Sequence, residues 1–537
     1  MAKLFTNILI PASLFFLLAL NQQKEAPKYH TETVSQQSRL VKLTAEGRLT
    51  YGLYANEGEE EKINRLPDFS YAGYMGGGVR LPDIAVKITL SPLRGDNRSH
   101  LQDAIDKVSS MPADRNGFRG KILLKAGTYP IEGNIKIFAS GVVLAGEGQD
   151  ERGTILKATR QAKHTFITIG KRSKEAFVIK SAATRITSDY VPTGSDSFTV
   201  ASAVGYQPGD TIIIQKTPDV AWVRGLGMEQ YGWTPASYMI SHERVITAIK
   251  GNQVSINIPV VDPVKVRDGG GQVYKVKSNR RTKQSGIENL RVVSSYKHEE
   301  DEEHGWCGII LQMAENCWVK KVSVQHFGFS AVTIDKGSAF NTVEDCAMLD
   351  PKARTIGMRK YSFNIQSGSF NLIQRCYTRG GRHDYVTGPK VTGPNVFLDC
   401  YATEAKSDIG PHHRWATGTL FDNIQGRDIR VINRKSSGTG HGWAGAQTMF
   451  WNCISTSGKG MTIENPPGSI NWQVGGMARN LSGDGYQELL GQQVTPRSLY
   501  LAQLQNRLGQ EALYSITTTS QRNGVLYDDL EKWAGQK

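Results

Sequence analysis

The sequence predicts an all-β chain: a right-handed parallel β-helix solenoid with an inserted β-rich module and short helical ends. Three observations carry that expectation. Short apolar segments recur at GIENLRVV (286–293), WVKKVSVQ (318–325), NTVEDCAML (341–349), NLIQRCYTR (371–379), NVFLDCYAT (395–403), TLFDNIQG (419–426) and MFWNCIST (449–456). Superposed, they form a column of Leu290, Val322, Cys346, Cys376, Cys400, Asn423 and Cys453, with steps of 23 to 32 residues. One rung per turn, with loops of unequal length, produces such spacing, and each rung buries its inner face only by stacking on its neighbours. Glycine is abundant, 56 of 537 residues, as a fold with many tight turns requires. Finally, charged and aromatic residues crowd between the rungs at 379–415, RGGRHDYVTGPKVTGPNVFLDCYATEAKSDIGPHHRW, which lays them along one outer face.

The first residues, MAKLFTNILIPASLFFLLALNQQ, place Lys3 before an apolar run from Leu4 to Leu20. Residues 1–21 therefore read as a signal peptide, and the expected location is secreted or periplasmic. No later segment is apolar enough to span a bilayer. Residues 22–65 are polar and charged and read as a leader or cover segment.

Residues 66–170 supply the N-terminal part of the solenoid. In GDNRSHLQDAIDKVSS (95–110), Leu101, Ala104, Ile105 and Val108 share one helical face, a short helix able to close the solenoid end, with Ser99 as its expected N-cap. Strand-length runs KILLKAG, GNIKIFAS, VVLAGEG and TILKA follow, separated by glycine turns. The set Asp68-Phe69-Ser70-Tyr71-Ala72-Gly73-Tyr74, Gly76-Gly77-Gly78, Gly95-Asp96-Asn97 and Lys125-Ala126-Gly127-Thr128-Tyr129 resembles the opening of the pectate-lyase-like right-handed β-helix superfamily. The resemblance spans 66–160 and, through the rung pattern, 286–475. It implies the fold and a polysaccharide-directed activity, but not which reaction, because that superfamily holds lyases, hydrolases, epimerases and depolymerases.

Between 171 and 284 the rung rhythm lapses. DSFTVASAVGYQPGDTIIIQKT and HERVITAIKGNQVSINIPVV alternate like antiparallel strands around Pro208-Gly209-Asp210 and Gly251-Asn252, an inserted β-rich module. Between them lie Trp222, Arg224, Tyr231 and Trp233, suited either to sugar stacking or to local packing. The solenoid resumes over 285–475, and 476–537 reads as a helical tail with a helix at 497–513. The acidic loop HEEDEEHGWCG (298–308) is either a solvated charge run or a cation site.

All six cysteines lie at or beyond residue 307, and four of them fall in the column. Stacked equivalents stand about 4.8 Å apart, wider than disulfide geometry, so a ladder of buried thiols is expected. No CxxC pair occurs, which argues against a structural zinc site.

A formal charge of +14, spread along the chain, points to a polyanionic partner. Nucleic acid and acidic polysaccharide both answer to that charge; the expectation is an anionic polysaccharide, no nucleic acid, no stable membrane insertion, and a monomer. Cleaving a uronate chain by β-elimination needs the carboxylate neutralised, a base for the C5 proton and an acid for the leaving oxygen. Arginine suits the first task, and histidine, lysine or tyrosine suit the others. The catalytic candidates are accordingly His412, His413, His383, Tyr385 and Lys390. The substrate-binding candidates are Arg382, Arg414, Trp415, His441, Trp443, Glu404 and Asp408. Of His412 and His413, alternation along an extended backbone leaves one facing the site, and Asp384 either orients a histidine or caps a turn.

Pectate lyases of the resembled superfamily use acidic calcium ligands and an arginine base, and the RxPxxR-type signature is missing here. The expectation is therefore a metal-independent lyase of another acidic glycan, with calcium the one candidate cofactor. Two alternatives stand beside it. A glycoside hydrolase would use two of Asp384, Glu404 and Asp408; a non-catalytic glycan-binding solenoid would stack sugars on Trp222, Trp233, Trp415 and Trp443.

Overall fold

The computed structural model describes residues 36–173, 177–179, 182–524, 526, 527, 529 and 530. The N-terminal apolar run and residues 22–35 of the cover segment lie outside them. Among the described residues, no helix is long and apolar enough to cross a membrane.

The chain is a parallel β-helix. One ten-stranded all-parallel sheet takes one strand per coil, from Ile135–Ile137 to Leu481–Ser482. The rest of each coil forms a second, bent parallel surface, as in Leu372–Gln374 followed by Tyr377–Arg379. At the bend seven successive coils place a non-glycine residue in the left-handed region: Asn289, Lys321, Asp345, Arg375, Asp399, Asn423 and Asn452 all have φ between 49° and 57°. Each such residue costs about 1 kcal/mol or more, and stacking recovers it, since their amides bond to the next coil, as Arg375 does to Leu398 and Asn423 to Trp451.

This bend corrects the core column in one place. Leu398 pairs with Asp422 and Tyr401 with Gln425, so Cys400 stacks on Ile424, and Asn423 occupies the left-handed bend instead. The physical reason is that asparagine tolerates the left-handed conformation with a local hydrogen bond while isoleucine does not. Cys346, Cys376 and Cys400 point inward, and all six cysteines are buried free thiols. Above them Phe397, Phe421 and Phe450 stack at 5.0 and 4.9 Å. An asparagine ladder, Asn341 to Asn371 to Asn395 at 3.0 and 3.1 Å, satisfies the opposite turn.

The helix Arg98–Ser109 buries Leu101, Ala104, Ile105 and Val108 against the first coils. Its N-cap position is Asn97, not Ser99, and Asp96 accepts the Arg98 amide at 3.0 Å. The C-terminal helix Leu499–Ile516 lies on the side of the solenoid, packing Tyr500 and Leu504 with Phe69, Leu372, Val396 and Leu420. Residues 36–65 join the same cover, with Leu40, Val41 and Tyr54 buried there.

Antiparallel strands from Phe177 to Asn279 form a separate sheet with its own core of Ile186, Phe198, Ile212, Ile246 and Val273. The solenoid continues across this insertion, because Gly286–Ser294 pairs with both Val142–Gly146 and Thr154–Ala158. The insertion starts and ends at one point: Ile169 O accepts from Gln312 N, and Thr282 N donates to Met313 O.

Candidate active site

Four adjacent strands position the site: Phe363–Ile365, Tyr385–Thr387, Asp408–Pro411 and Asp428–Val431. Phe363, Tyr385, Ile409 and Ile429 enter the core. Alternation therefore turns the residues before them, Ser362, Asp384, Asp408 and Asp428, to the outer face. Gly410 stands outward between Asp408 and His412, where a Cβ would come within 2.1 Å of the Arg430 carbonyl oxygen.

Around this face the structure gathers four histidines. The His383 and His412 rings lie 4.3 Å apart, His412 and His441 5.2 Å, and His413 and His441 4.7 Å. The Tyr361 hydroxyl and His412 Nε2 share a hydrogen bond of 3.0 Å. His383 Nδ1 bonds the Asp408 carbonyl oxygen at 2.8 Å, and the Asp408 carboxylate pairs with Arg434 and, at 3.2 Å, with Arg430. Backbone strain marks the exit of the strand: Arg414 and Trp415 both have positive φ, 59° and 57°, and are held there by amide bonds to His441 O and Trp443 O.

The electrostatics follow from burial among guanidinium groups. Burial pushes His413 down to about 3, helped by His441, Arg414 and Arg434. Burial likewise lowers His383 to about 4, and it holds His412 well below the ordinary imidazole value with His383 and Arg434 adding to it. His441 is lowered for the same reasons. Burial alone would raise Asp408, but Arg434, His383 and Arg430 hold it ionised. Asp384, fully buried with one hydroxyl bond from Ser362 at 2.7 Å, is raised to about 6 by burial. The cluster is thus a set of neutral imidazoles set among permanent cations. Its polar atoms are under-used: His383 Nε2, the Nδ1 of His412, His413 and His441, Arg382 Nη1, and the Nε of Arg414, Arg430 and Arg434 are buried with no partner in the protein. Such a concentration is unusual for groups with only a packing role.

Several sequence expectations are corrected here. Tyr385 is a core residue, stacked on Phe363, and its hydroxyl donates to the Cys376 and Tyr401 carbonyls. It lies on the inner side of the strand whose outer side carries Asp384. Lys390 Nζ donates to the Ser237 carbonyl at 2.8 Å and sits over Tyr238, so it ties the inserted module to the coil. Trp415 is buried against Trp222 and Trp233, and Trp443 donates to the Leu226 carbonyl; these four tryptophans fasten the module, with Trp222 and Trp443 only partly buried. Glu404 is exposed with its charge toward Arg379. His412 and His413 do not diverge, because the extended strand ends at Pro411 and both rings turn into the cluster, 5.2 Å apart. The structure does bring together His383, His412, His413, His441 and Asp408, with Arg382 against Tyr361. Arg414 reaches Thr439 at its edge.

Tyr361, Arg430 and Arg434 were missed. Tyr361 stands one coil before His383 at the same offset, and Arg430 pairs in register with Gly410, so carrying the rung alignment one coil in each direction finds both. The fit to calcium is poor. In the acidic loop Glu302 is engaged by Arg359, Arg354 and Lys163 and Glu299 by Lys352, while Asp408 is already shared between two arginines. A cavity of about 300 Å³ lined by Gly73, Arg80, Lys321 and Tyr514 lies under the C-terminal helix; its Asp345, Glu344 and Arg375 neutralise one another, and it contains none of the histidines.

No protein-family model matches the chain, and no curated protein does. Solved structures do. The tailspike protein gp49 from Pseudomonas phage LKA1 is 14% identical with a TM-score of 0.40, covering 73% of this chain and 66% of that one. The tailspike of E. coli bacteriophage HK620, in complex with a pentasaccharide, is 10% identical with a TM-score of 0.39, covering 75% and 62%. The alginate lyase from Paenibacillus sp. str. FPU-7 is 10% identical with a TM-score of 0.35, covering 76% and 99%. The chain spans a little under two thirds of the two tailspikes. The likeness is to a fold, which the strand pairing above establishes independently, and the reading of the site rests on its own residues.

Proposed function

We propose that the chain cleaves an anionic, uronate-containing polysaccharide by β-elimination. The observation that carries this reading is the convergence of unpartnered guanidinium and imidazole nitrogens on the hydrogen-bonded Tyr361–His412 pair. Arg382, Arg430 and Arg434 draw in and neutralise the uronate carboxylate. His413 or His412 accepts the C5 proton, and Tyr361, in the place first expected for Tyr385, protonates the leaving oxygen. In the free protein these histidines are weak bases; a carboxylate entering among the arginines supplies the negative charge that raises them toward working pH. His413 and His441 are half-exposed while His412 and Tyr361 are buried, so substrate meets His413 first.

The test is a panel of anionic glycans followed by near-ultraviolet absorbance of the conjugated unsaturated sugar, with and without chelator. Shortened chains with saturated ends would replace elimination by hydrolysis. One observation favours that second reading: Asp384, raised to about 6, and ionised Asp408 are neighbours across adjacent strands. Against it, Asp384 lies sealed beneath Gly381, where a Cβ would fall 1.8 Å from its carboxylate.

A further inference from the structure

We propose that His412, His413 and His441 form a binding site for one divalent transition-metal ion of the zinc class. The inference goes beyond the elimination reading and does not depend on it. One ligand nitrogen from each of the three rings lies within 4.8 Å of the others. Around a shared tetrahedral zinc, at about 2.0–2.1 Å per nitrogen, the nitrogens stand about 3.3–3.4 Å apart. Side-chain rotations that bring the nitrogens closer by up to about 1.5 Å close that difference, and Nδ1 is buried without a partner in all three rings.

The second observation is the outer contact of His412. Its Nε2 shares a hydrogen bond of 3.0 Å with the Tyr361 hydroxyl, and in the tautomer whose Nε2–H donates to that oxygen the Nδ1 lone pair is free for an ion. His412 is only 7% exposed, so an unfilled Nδ1 there carries a desolvation cost that an ion removes. The backbone supports the same convergence, since the Arg414 amide bonds the His441 carbonyl and so ties the segment carrying His441 to the end of the strand carrying His412. An all-imidazole set selects zinc, copper, nickel or cobalt over calcium and magnesium, which take oxygen ligands.

Three protein ligands leave a fourth position open, on the side where His413 and His441 are half-exposed. The neighbouring Arg414 and Arg434 weaken attraction for a cation, and Asp408, paired with Arg434, offsets part of that charge. An ion held here ties up the imidazole lone pairs that proton abstraction requires, so the loaded and the proton-accepting forms are alternative states of one cluster.

The experiment uses the chelator-stripped full chain without glycan, so ion binding and lyase activity fail or succeed separately. Zinc titrated by calorimetry is expected to bind at one equivalent, and X-ray absorption is expected to count three imidazole ligands. His413→Ala and His441→Ala, both at half-exposed positions, are each expected to lose most of the affinity while keeping the circular dichroism of the parent. Calcium and magnesium are expected to give no heat above dilution. Absence of saturable zinc binding, fewer than three imidazoles in the absorption spectrum, or unchanged affinity in a folded His441→Ala variant would each overturn the site.

Discussion

The Tyr361 hydroxyl lies 3.0 Å from His412 Nε2, joining two residues 51 positions apart in sequence across the intervening coil that carries His383. Burial raises the tyrosine and lowers the histidine, which keeps the phenol protonated and the imidazole neutral. Tyr361→Phe is expected to reduce formation of unsaturated product by roughly 100-fold or more, the scale of a lost general acid. His413→Ala is expected to act similarly with little change in the unfolding midpoint. Full activity in both variants would remove the acid–base assignment.

Arg382 has a buried nitrogen with no partner and faces Tyr361. Arg382→Gln is expected to raise KM for the glycan more than it lowers kcat, and the parent's activity is expected to fall as salt rises, since exposed charges are screened over about 8–10 Å at physiological ionic strength. A salt-independent KM, or equal turnover of an uncharged glycan, would contradict carboxylate recognition.

The Asp408 carboxylate is buried beneath Arg430, Arg434 and His383. Removing its charge strands two guanidinium groups, so Asp408→Asn is expected to cost about 3 kcal/mol in urea unfolding. It also releases the arginines that flank the histidines, so a stable, fully active Asp408→Asn protein would show that the ion-pair network has no supporting role.

Asp384 makes the stability of the coil depend on pH. Its folded value is about 6 against an unfolded value of 3.8, so between those values the folded chain holds a proton that the unfolded chain has released. Stability from this group is present at low pH and is lost as pH rises through about 6. From pH 4.5 to 7.5 the loss is about 2 kcal/mol, and Asp384→Asn is expected to flatten it. Unfolding curves at the two pH values for parent and variant measure this directly; equal slopes would place the ionisation elsewhere.

Trp415 packs its edge on Trp222 at 5.1 Å and lies 6.4 Å from Trp233. Trp415→Ala is expected to cost about 3 kcal/mol or more and to open residues 219–240 to limited proteolysis while the solenoid stays intact. Unchanged protease resistance would mean that the module is held by other contacts.

The rung rhythm, the buried thiols and the histidine-rich face were legible because each leaves a local signal: a cysteine or an apolar residue at regular depth, or several titratable groups in one short stretch. Asn423 was misplaced by one residue because its polarity and its neighbours fit either side of the bend, and only pairing of Leu398 with Asp422 separates them. Tyr385 and Tyr361 show the same limit. Inward and outward differ by a single step along a strand, and the residues around Tyr385 carry no local signal of which parity it takes; pairing with Phe363 turns it inward. Trp415 and Lys390 could not have been assigned from local sequence, since their partners are Trp222, Trp233 and Ser237, more than 150 residues earlier.

The insertion leaves the solenoid beside Gln312 and returns beside Met313, so its two ends need only a short bridge. Loop closure cost rises slowly with length, which makes the coil nearly indifferent to what is spliced there. Yet the spliced segment places Leu226, Trp233 and Ser237 against Trp443, Gly440 and Lys390, at the rim of the histidine cluster. On the proposed lyase reading, selectivity sits on the inserted segment and proton transfer on the coils, so exchanging the insertion is expected to change glycan preference and to leave the histidine cluster in place.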